Sequence, residues 1–259
     1  MRNQTQDEAQ APSIRWRSPN GRCLQQLEQA SQGQLRICRT ATEIEQCRLN
    51  RQIAAVLHIE GEGMIDAELT QLEAFYRLGV RAIGPFWNLP NAFGTGVRSF
   101  PGSPDTGPGL TPPRGLIRAC NQRAIMIDVS HMNEKAFWQT ARSTAPLVAT
   151  HSNAHALCPQ PRNLTDCQWT PSPRAAGWSA SISAPPSCGR TVNVDSATTG
   201  LTEIVKHVEY LIAKLGEDRV GFGSDFDGVN VPQPLEDAAG TADCVRTAWP
   251  GSITGCWRS

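Results

Sequence analysis

The chain has 259 residues, 24 basic and 24 acidic side chains, a formal net charge of zero and a pI near 6.9, so no field of either sign draws it to nucleic acid or to an anionic membrane. With 39% hydrophobic residues and a mean hydropathy of −0.35 it can bury one sizeable core, and no apolar stretch approaches the roughly 20 residues needed to span a bilayer. The nine cysteines (Cys23, Cys38, Cys47, Cys120, Cys158, Cys167, Cys188, Cys244 and Cys256) are odd in number and form no C-x-x-C pair, which excludes a disulfide framework or a thiolate zinc cage. Reduced thiols and a cytoplasmic location are expected, and the N-terminus lacks the basic and apolar segments of a signal peptide.

Residues 1–20 are polar and carry Pro12 and Pro19, which predicts a frayed terminus. A short helix is expected over Cys23 to Ala30, and Thr40 or Thr42 offers a cap for a second one. IAAVLHIE, residues 53–60, reads as a buried strand. DAELTQLEAFYRLG follows as a helix, with Asp66 as N-cap, Leu69, Leu72, Phe75 and Tyr76 at helical spacing and Gly79 at its end. VRAIGPF resumes strand character, and the Gly- and Pro-rich stretch 88–109 reads as a long active-site loop.

Beyond it the sequence predicts a helix near 111–122, the strand IMIDVSH, a helix over NEKAFWQTARS capped by Asn133, and the strand of LVATHS. Between Cys167 and Ser196 neither a good helix nor a confident strand is legible, as if one barrel unit were corrupted or missing. LTEIVKHVEYLIAKLG gives an amphipathic helix closed by Gly216, and RVGFGSDFDG supplies the last clear strand. The tail from Cys244 lacks helical periodicity.

Four of the apolar runs end on a residue able to bind a metal or move a proton: Glu60, His131, His151 and Asp225. A short buried strand delivering such a group at its C-terminal end is how a parallel α/β barrel builds an active site. The alternation of strand and helix accordingly predicts right-handed βαβ units in a parallel sheet. Glu60, His131 and His151 supply the carboxylate and imidazole donors that zinc accepts. The competing reading makes each histidine a hydrogen-bonded group at a strand terminus. The same holds for His155, read as a loop residue, and His207, read as packing on its helix. Arg162 beside Asn163 reads as a solvated loop arginine from the residues alone. Asp225 and Asp227 form a G-x-D-x-D-G run that resembles part of a calcium loop, but the required downstream glutamate is missing.

Taken in order, HIEG at 58–61, IDVSH at 127–131, THSNAH at 150–155, PRNLTD at 161–166 and GSDFDG at 223–228 resemble the linked motifs of the membrane (renal) dipeptidase family. FYRLGVRAIGP and GLT at 109–111 extend the resemblance over roughly residues 50–165 and 200–240, and WNLPNAFGTGV is similar to the loop of bacterial members. The resemblance implies a metallo-dependent hydrolase on a (β/α)8 barrel that cleaves dipeptides with two zinc ions and tolerates a D-residue at the C-terminal position. It implies that Glu60 bridges the two ions, that His131 and His151 bind the second, that Arg162 grips the substrate carboxylate, and that Asp225 handles the proton passed to the leaving amine.

Two departures shape the expectation. Family members carry an H-x-D pair on the first barrel strand, binding the first zinc, and no H-x-D occurs in this sequence. The nearest substitute is His58 beside Glu60, read as a barrel-core residue one layer deeper. Trp87 stands where animal members have a substrate-binding histidine. The expected fold is thus an incomplete (β/α)8 barrel over residues 53–243, after a polar, helical segment 1–52 and before a divergent tail 244–259, as in a truncated or frame-disturbed copy. Exposed sheet edges in such a barrel invite pairing, so a homodimer is an expected assembly beside dipeptide substrates. The alternative function is a remnant that binds one metal or a partner chain without hydrolysis.

Overall fold

The computed structural model describes residues 20–61, 63–97, 107–111, 115–170, 178–182 and 200–226, with residues 228, 231, 232, 235, 237, 238, 240 and 246. The expectations for residues 1–19, for 98–106 and for most of the tail lie outside them. Helix α1 spans Asn20–Ala30, strand β1 Leu35–Ile37, helix α2 Ala41–Leu49 and strand β2 Ile53–Ala55. Thr40 caps α2: its hydroxyl accepts from the Glu43 N–H, and the Glu43 carboxylate accepts from the Thr40 N–H, a reciprocal pair that satisfies two backbone donors at the helix start. β1 and β2 pair in parallel as a small two-stranded sheet. Strand β1 lies where only helices are expected, three residues being too few to show an alternating pattern.

The main sheet has six parallel strands in sequential order: β3 Leu57–Glu60, β4 Val80–Gly84, β5 Met126–Asp128, β6 Leu147–Ala149, β7 Trp178–Ile182 and β8 Val220–Phe222. Between them run α3 Leu72–Leu78, α4 Gly115–Gln122, α5 Glu134–Thr140, α6 Asp166–Trp169 and α7 Leu201–Leu215. This is the strand and helix alternation of a TIM-like barrel, with parallel neighbours throughout. Among the described residues no helix is long and apolar enough to cross a membrane.

Three expectations are corrected. IAAVLHIE is not one buried strand: it breaks at Val56, the register shifts between Leu57 and His58, and Ile53 lies 64% exposed, because its first half serves the small sheet and its second half the large one. Helix α3 begins at Leu72 rather than after Asp66. The Asp66 carboxylate accepts from the Thr70 N–H and hydroxyl, closing a local turn, and Leu69 sits in the left-handed region at φ 62°. The Cys167–Ser196 stretch does contain a barrel unit: α6 and β7, with β7 paired to both β6 and β8. Its neighbours supply the register that the proline-rich sequence around it conceals.

The core fills the space between sheet and helices with Ile83, Ile127 and Leu147 from adjacent strands and Leu116, Phe137 and Leu211 from the helices, all at most 2% exposed. Ile127 pairs with Ile83 on one side and Leu147 on the other. Ile127→Ala should therefore lower unfolding free energy by about 2–5 kcal/mol, read as a lower urea midpoint at unchanged slope.

Candidate metal centre

Glu60, His131 and His151 arrive at one place from the C-terminal ends of β3, β5 and β6. One ligand atom from each lies within 4.8 Å of the others. His131 Nε2 is 3.2 Å and His151 Nε2 2.9 Å from the same oxygen, Glu60 Oε1. The two imidazole rings lie 5.0 Å apart at an interplanar angle of 58°, and both histidines are buried. Glu60 keeps about a third of its side chain open, at 35%.

Local backbone explains how these groups are aimed. His131 follows β5 at φ 64°, and Asp225 follows β8 at φ 53°, so two of the strand ends leave their sheet through a left-handed residue. Non-glycine residues there are uncommon, with His and Asp among the more tolerant, and such strain collects at functional sites. Gly61, directly after Glu60, has φ 66° and a position where a Cβ would stand 2.9 Å from Trp87 Cβ. A side chain at Gly96 would meet Trp87 O at 2.0 Å and His131 O at 2.9 Å, which lets the loop run close enough for the Val97 N–H to donate to His131 O at 2.8 Å. The loop read as an active-site element thus abuts the site.

Behind the histidines lies Asp128, wholly buried at the end of β5. Its Oδ1 accepts from the Ser130 N–H at 2.9 Å and the Thr150 N–H at 3.0 Å, and its Oδ2 accepts from the Thr150 hydroxyl at 2.5 Å. The Thr150 oxygen is also 2.7 Å from His151 Nδ1. Since that hydroxyl gives its proton to Asp128, it receives one from His151, and the imidazole carries its hydrogen on Nδ1. His151 Nε2 then presents a lone pair, buried and without a hydrogen-bond donor, toward a carboxylate oxygen. Two electron-rich atoms 2.9 Å apart need a cation between or beside them. The donor set therefore fits a divalent metal of the zinc type.

Asp128, Ser130 and Thr150 were not singled out from the sequence. The available signal was an aspartate inside an apolar strand run, a charge that burial forces to find several donors.

The remaining candidates fall around this cluster. Arg162 is buried, not solvated: its Nη2 donates to His151 O at 3.2 Å, while Nη1 is buried without a partner. Burial lowers its guanidinium to about 10, against the pull of Asp128, Glu60 and Asp225. Asp225 is not one of the three clustered residues. Its carboxyl is raised by burial, with Glu60 and Asp128 adding to the rise and His151 and Arg162 opposing it. Burial opposes ionisation of Glu60, but the two neighbouring imidazoles of His131 and His151 outweigh it and hold the carboxyl well below its usual range.

His58 shares one side of β3 with Glu60, but its Nε2 is 3.7 Å from Asp128 Oδ2 and it stands outside the cluster; its side chain is 26% exposed rather than fully in the core. His207 is buried on α7, where Nδ1 accepts from the Ala154 N–H at 3.2 Å. His155 is held through its backbone, its N–H donating to Leu164 O at 2.9 Å. Trp87 is 44% exposed beside Gly61.

Parallel strands of a TIM-like α/β fold that bring a carboxylate and two imidazoles together at their C-terminal ends are the arrangement seen in metal-dependent hydrolases. The family model for membrane dipeptidase, peptidase family M19, matches residues 6–247, and the chain belongs to that family. An uncharacterized protein encoded in the pqqA 5′ region of Klebsiella pneumoniae is 53% identical over 227 residues, covering 86% of this chain and 83% of its own. An uncharacterized dipeptidase of Schizosaccharomyces pombe is 31% identical over 207 residues, covering 76% and 47%. A metallo peptidase from Rhodobacter sphaeroides, solved with a phosphinate mimic of the dipeptide L-Ala-D-Ala, superposes with a TM-score of 0.81 at 42% identity, over 87% of this chain and 65% of that one. The chain thus spans less than two thirds of the length of two of these three relatives.

Two outcomes test the geometry. Burial, then the charge of Arg162, pushes His131 down from 6.5 to about 4. Between those values the unfolded chain binds a proton that the folded chain refuses, so stability is complete above pH 6.5 and declines as pH falls toward 4. The decline attributable to this group is on the order of 3 kcal/mol. Urea titrations of the chelator-treated chain at pH 7, 5.5 and 4 should show it, and His131→Gln should flatten the difference. Thr150→Val should cost about 1–3 kcal/mol by stripping Asp128 and His151 of a partner, and the 15N shifts of His151 should lose the Nδ1–H pattern; Thr150→Ser should restore both.

Proposed function

We propose that the chain is a zinc-dependent dipeptidase in which Glu60, His131 and His151 hold the metal, Arg162 binds the substrate carboxylate and Asp225 carries the proton to the leaving amine. The supporting observation is the convergence of both Nε2 atoms on Glu60 Oε1, at 3.2 and 2.9 Å. Three protein ligands with one side open is the arrangement of a catalytic zinc. Zinc bound there would polarise the scissile carbonyl and lower the pKa of an attacking water.

The rest of the reaction falls to the chain itself. Arg162 has a buried, unpartnered Nη1 and an Nη2 anchored on His151 O, so a substrate carboxylate would complete its hydrogen bonding with a planar fork. Anchoring on the residue that also holds the metal fixes the distance between carboxylate and scissile bond. The raised carboxyl of Asp225 keeps a protonated fraction to higher pH than an ordinary aspartate, which suits a group that takes a proton from water and returns it to an amine. The L-Ala-D-Ala mimic bound by the Rhodobacter enzyme supports dipeptides with a C-terminal D-residue as the substrate class.

A second reading, a one-metal remnant without turnover, is favoured by two observations: no H-x-D pair occurs in the sequence, and His58 lies beside Asp128, outside the cluster.

Metal analysis of the zinc-reconstituted chain, paired with hydrolysis of Gly-D-Ala, separates the two. Near two zinc ions per chain with turnover supports the dipeptidase; one or none without turnover supports the remnant. In an active enzyme, His151→Ala should abolish metal retention and turnover together. Arg162→Lys should raise KM roughly 10- to 100-fold, since a charge-assisted pair is worth about 1.5–3 kcal/mol.

A further inference from the structure

Two buried thiols that are not among the site residues lie side by side. Cys38, directly after β1, and Cys47, in α2, have their Sγ atoms 3.5 Å apart and are at most 1% exposed. Neither is placed there by chance flexibility. The Cys38 N–H donates to Ala55 O at 2.8 Å, and the Gln52 N–H donates to Cys47 O at 2.8 Å, so β2 and the turn leading into it fix both backbones. Between them the capping box of Thr40 and Glu43 holds the start of α2, with Glu43 also accepting from the Arg39 N–H at 2.6 Å. Arg39 is fixed from its other side, its carbonyl accepting from Arg81 Nε at 3.1 Å. Side chains held this close by independent backbone anchors need to approach by only about 1.5 Å to reach bonding distance.

We infer that Cys38 and Cys47 are a modification site: they join as a disulfide when the protein meets a two-electron oxidant such as a diazene or a small disulfide. With a diazenedicarboxamide, the first sulfur adds to one nitrogen of the N=N bond. The second sulfur attacks the first, the S–S bond forms as the S–N bond breaks, and the hydrazine leaves with both thiol hydrogens. Two thiols are oxidised and one diazene is reduced.

The bond closes a short loop ahead of β3, the strand that ends on Glu60. It therefore tightens the unit feeding the site without touching the site. Burial, followed by the neighbouring Cys47, raises the Cys38 thiol to about 11, so the exchange is slow near neutrality and quickens with alkalinity as thiolate forms.

The test uses the full chain in its folded state, treated with diazenedicarboxamide, alkylated and digested with trypsin. Cleavage after Arg36, Arg39 and Arg48 releases Ile37–Arg39 and Thr40–Arg48 as separate peptides. The expected product is these two joined, lighter by two hydrogen atoms than the pair of thiols, and separated by reductant. The oxidised chain should melt about 2–8 °C higher than the reduced one. Cys47→Ser should lose the joined peptide and the shift, while the exposed Cys167 still reacts. Recovery of both peptides as alkylated thiols after Cys167 is consumed would overturn the inference, as would their linkage to other cysteines. The wild-type peptide map decides the matter even if the variant does not fold.

Discussion

The Asp128 carboxylate is the constraint on which the candidate site depends. It is wholly buried, yet burial of an unpaired carboxylate costs several kcal/mol, so the chain surrounds it with donors. Two backbone N–H groups and a hydroxyl reach it, from the turn after β5 and from the end of β6. Burial opposes its ionisation, but the neighbouring His151 and His58 and the hydrogen bonds from Thr150 hold its carboxyl below the usual range. The same contacts that satisfy the charge bind the ends of two neighbouring strands to each other. A second link, from the His151 N–H to Ser130 Oγ at 3.1 Å, makes this junction more than a single contact.

Orientation follows from that junction. Thr150 hands its proton to Asp128 and thereby determines which nitrogen of His151 carries hydrogen, so the direction of the Nε2 lone pair is decided behind the ring. His131 is aimed differently, by a left-handed backbone at the end of its strand and by the Val97 N–H on its carbonyl. One imidazole is thus held by side-chain hydrogen bonds and the other by backbone conformation. Their convergence on one carboxylate oxygen depends on both devices at once.

Much of this was legible in the sequence because parallel strands carry their functional groups at their C-terminal ends. Glu60, His131 and His151 each close an apolar run, and their spacing as separate strands implied a shared face. Asn133 was legible as a cap, and its side chain accepts from the Ala136 N–H at 2.9 Å. What escaped notice shares a physical cause: it depends on contacts between segments distant in sequence. Asp128 and Thr150 are 22 residues apart and acquire their role only when β5 and β6 pair. Strand β7 is defined by its two neighbours, and α3 starts late because Asp66 spends its capping oxygen on a local turn. The burial of Arg162 was likewise invisible, since a PRN tripeptide in a loop carries no sign of the carbonyl that receives it.

The position of β3 bears on how many ions the site can hold. Among the described residues β3 pairs only with β4, and Glu60 has about a third of its side chain open. A carboxylate that touches two imidazoles through Oε1 has its second oxygen free to serve another cation, which is the geometry a bridging ligand requires. His58 stands on the same side of the strand, but the nearest carboxylate oxygen to its Nε2 belongs to Asp128, already satisfied by three hydrogen bonds. Recruiting His58 would mean drawing it away from that charge without a replacement partner. The three-donor cluster could hold one ion, and among the described residues neither His58 nor Asp128 is placed to supply a second ion with donors.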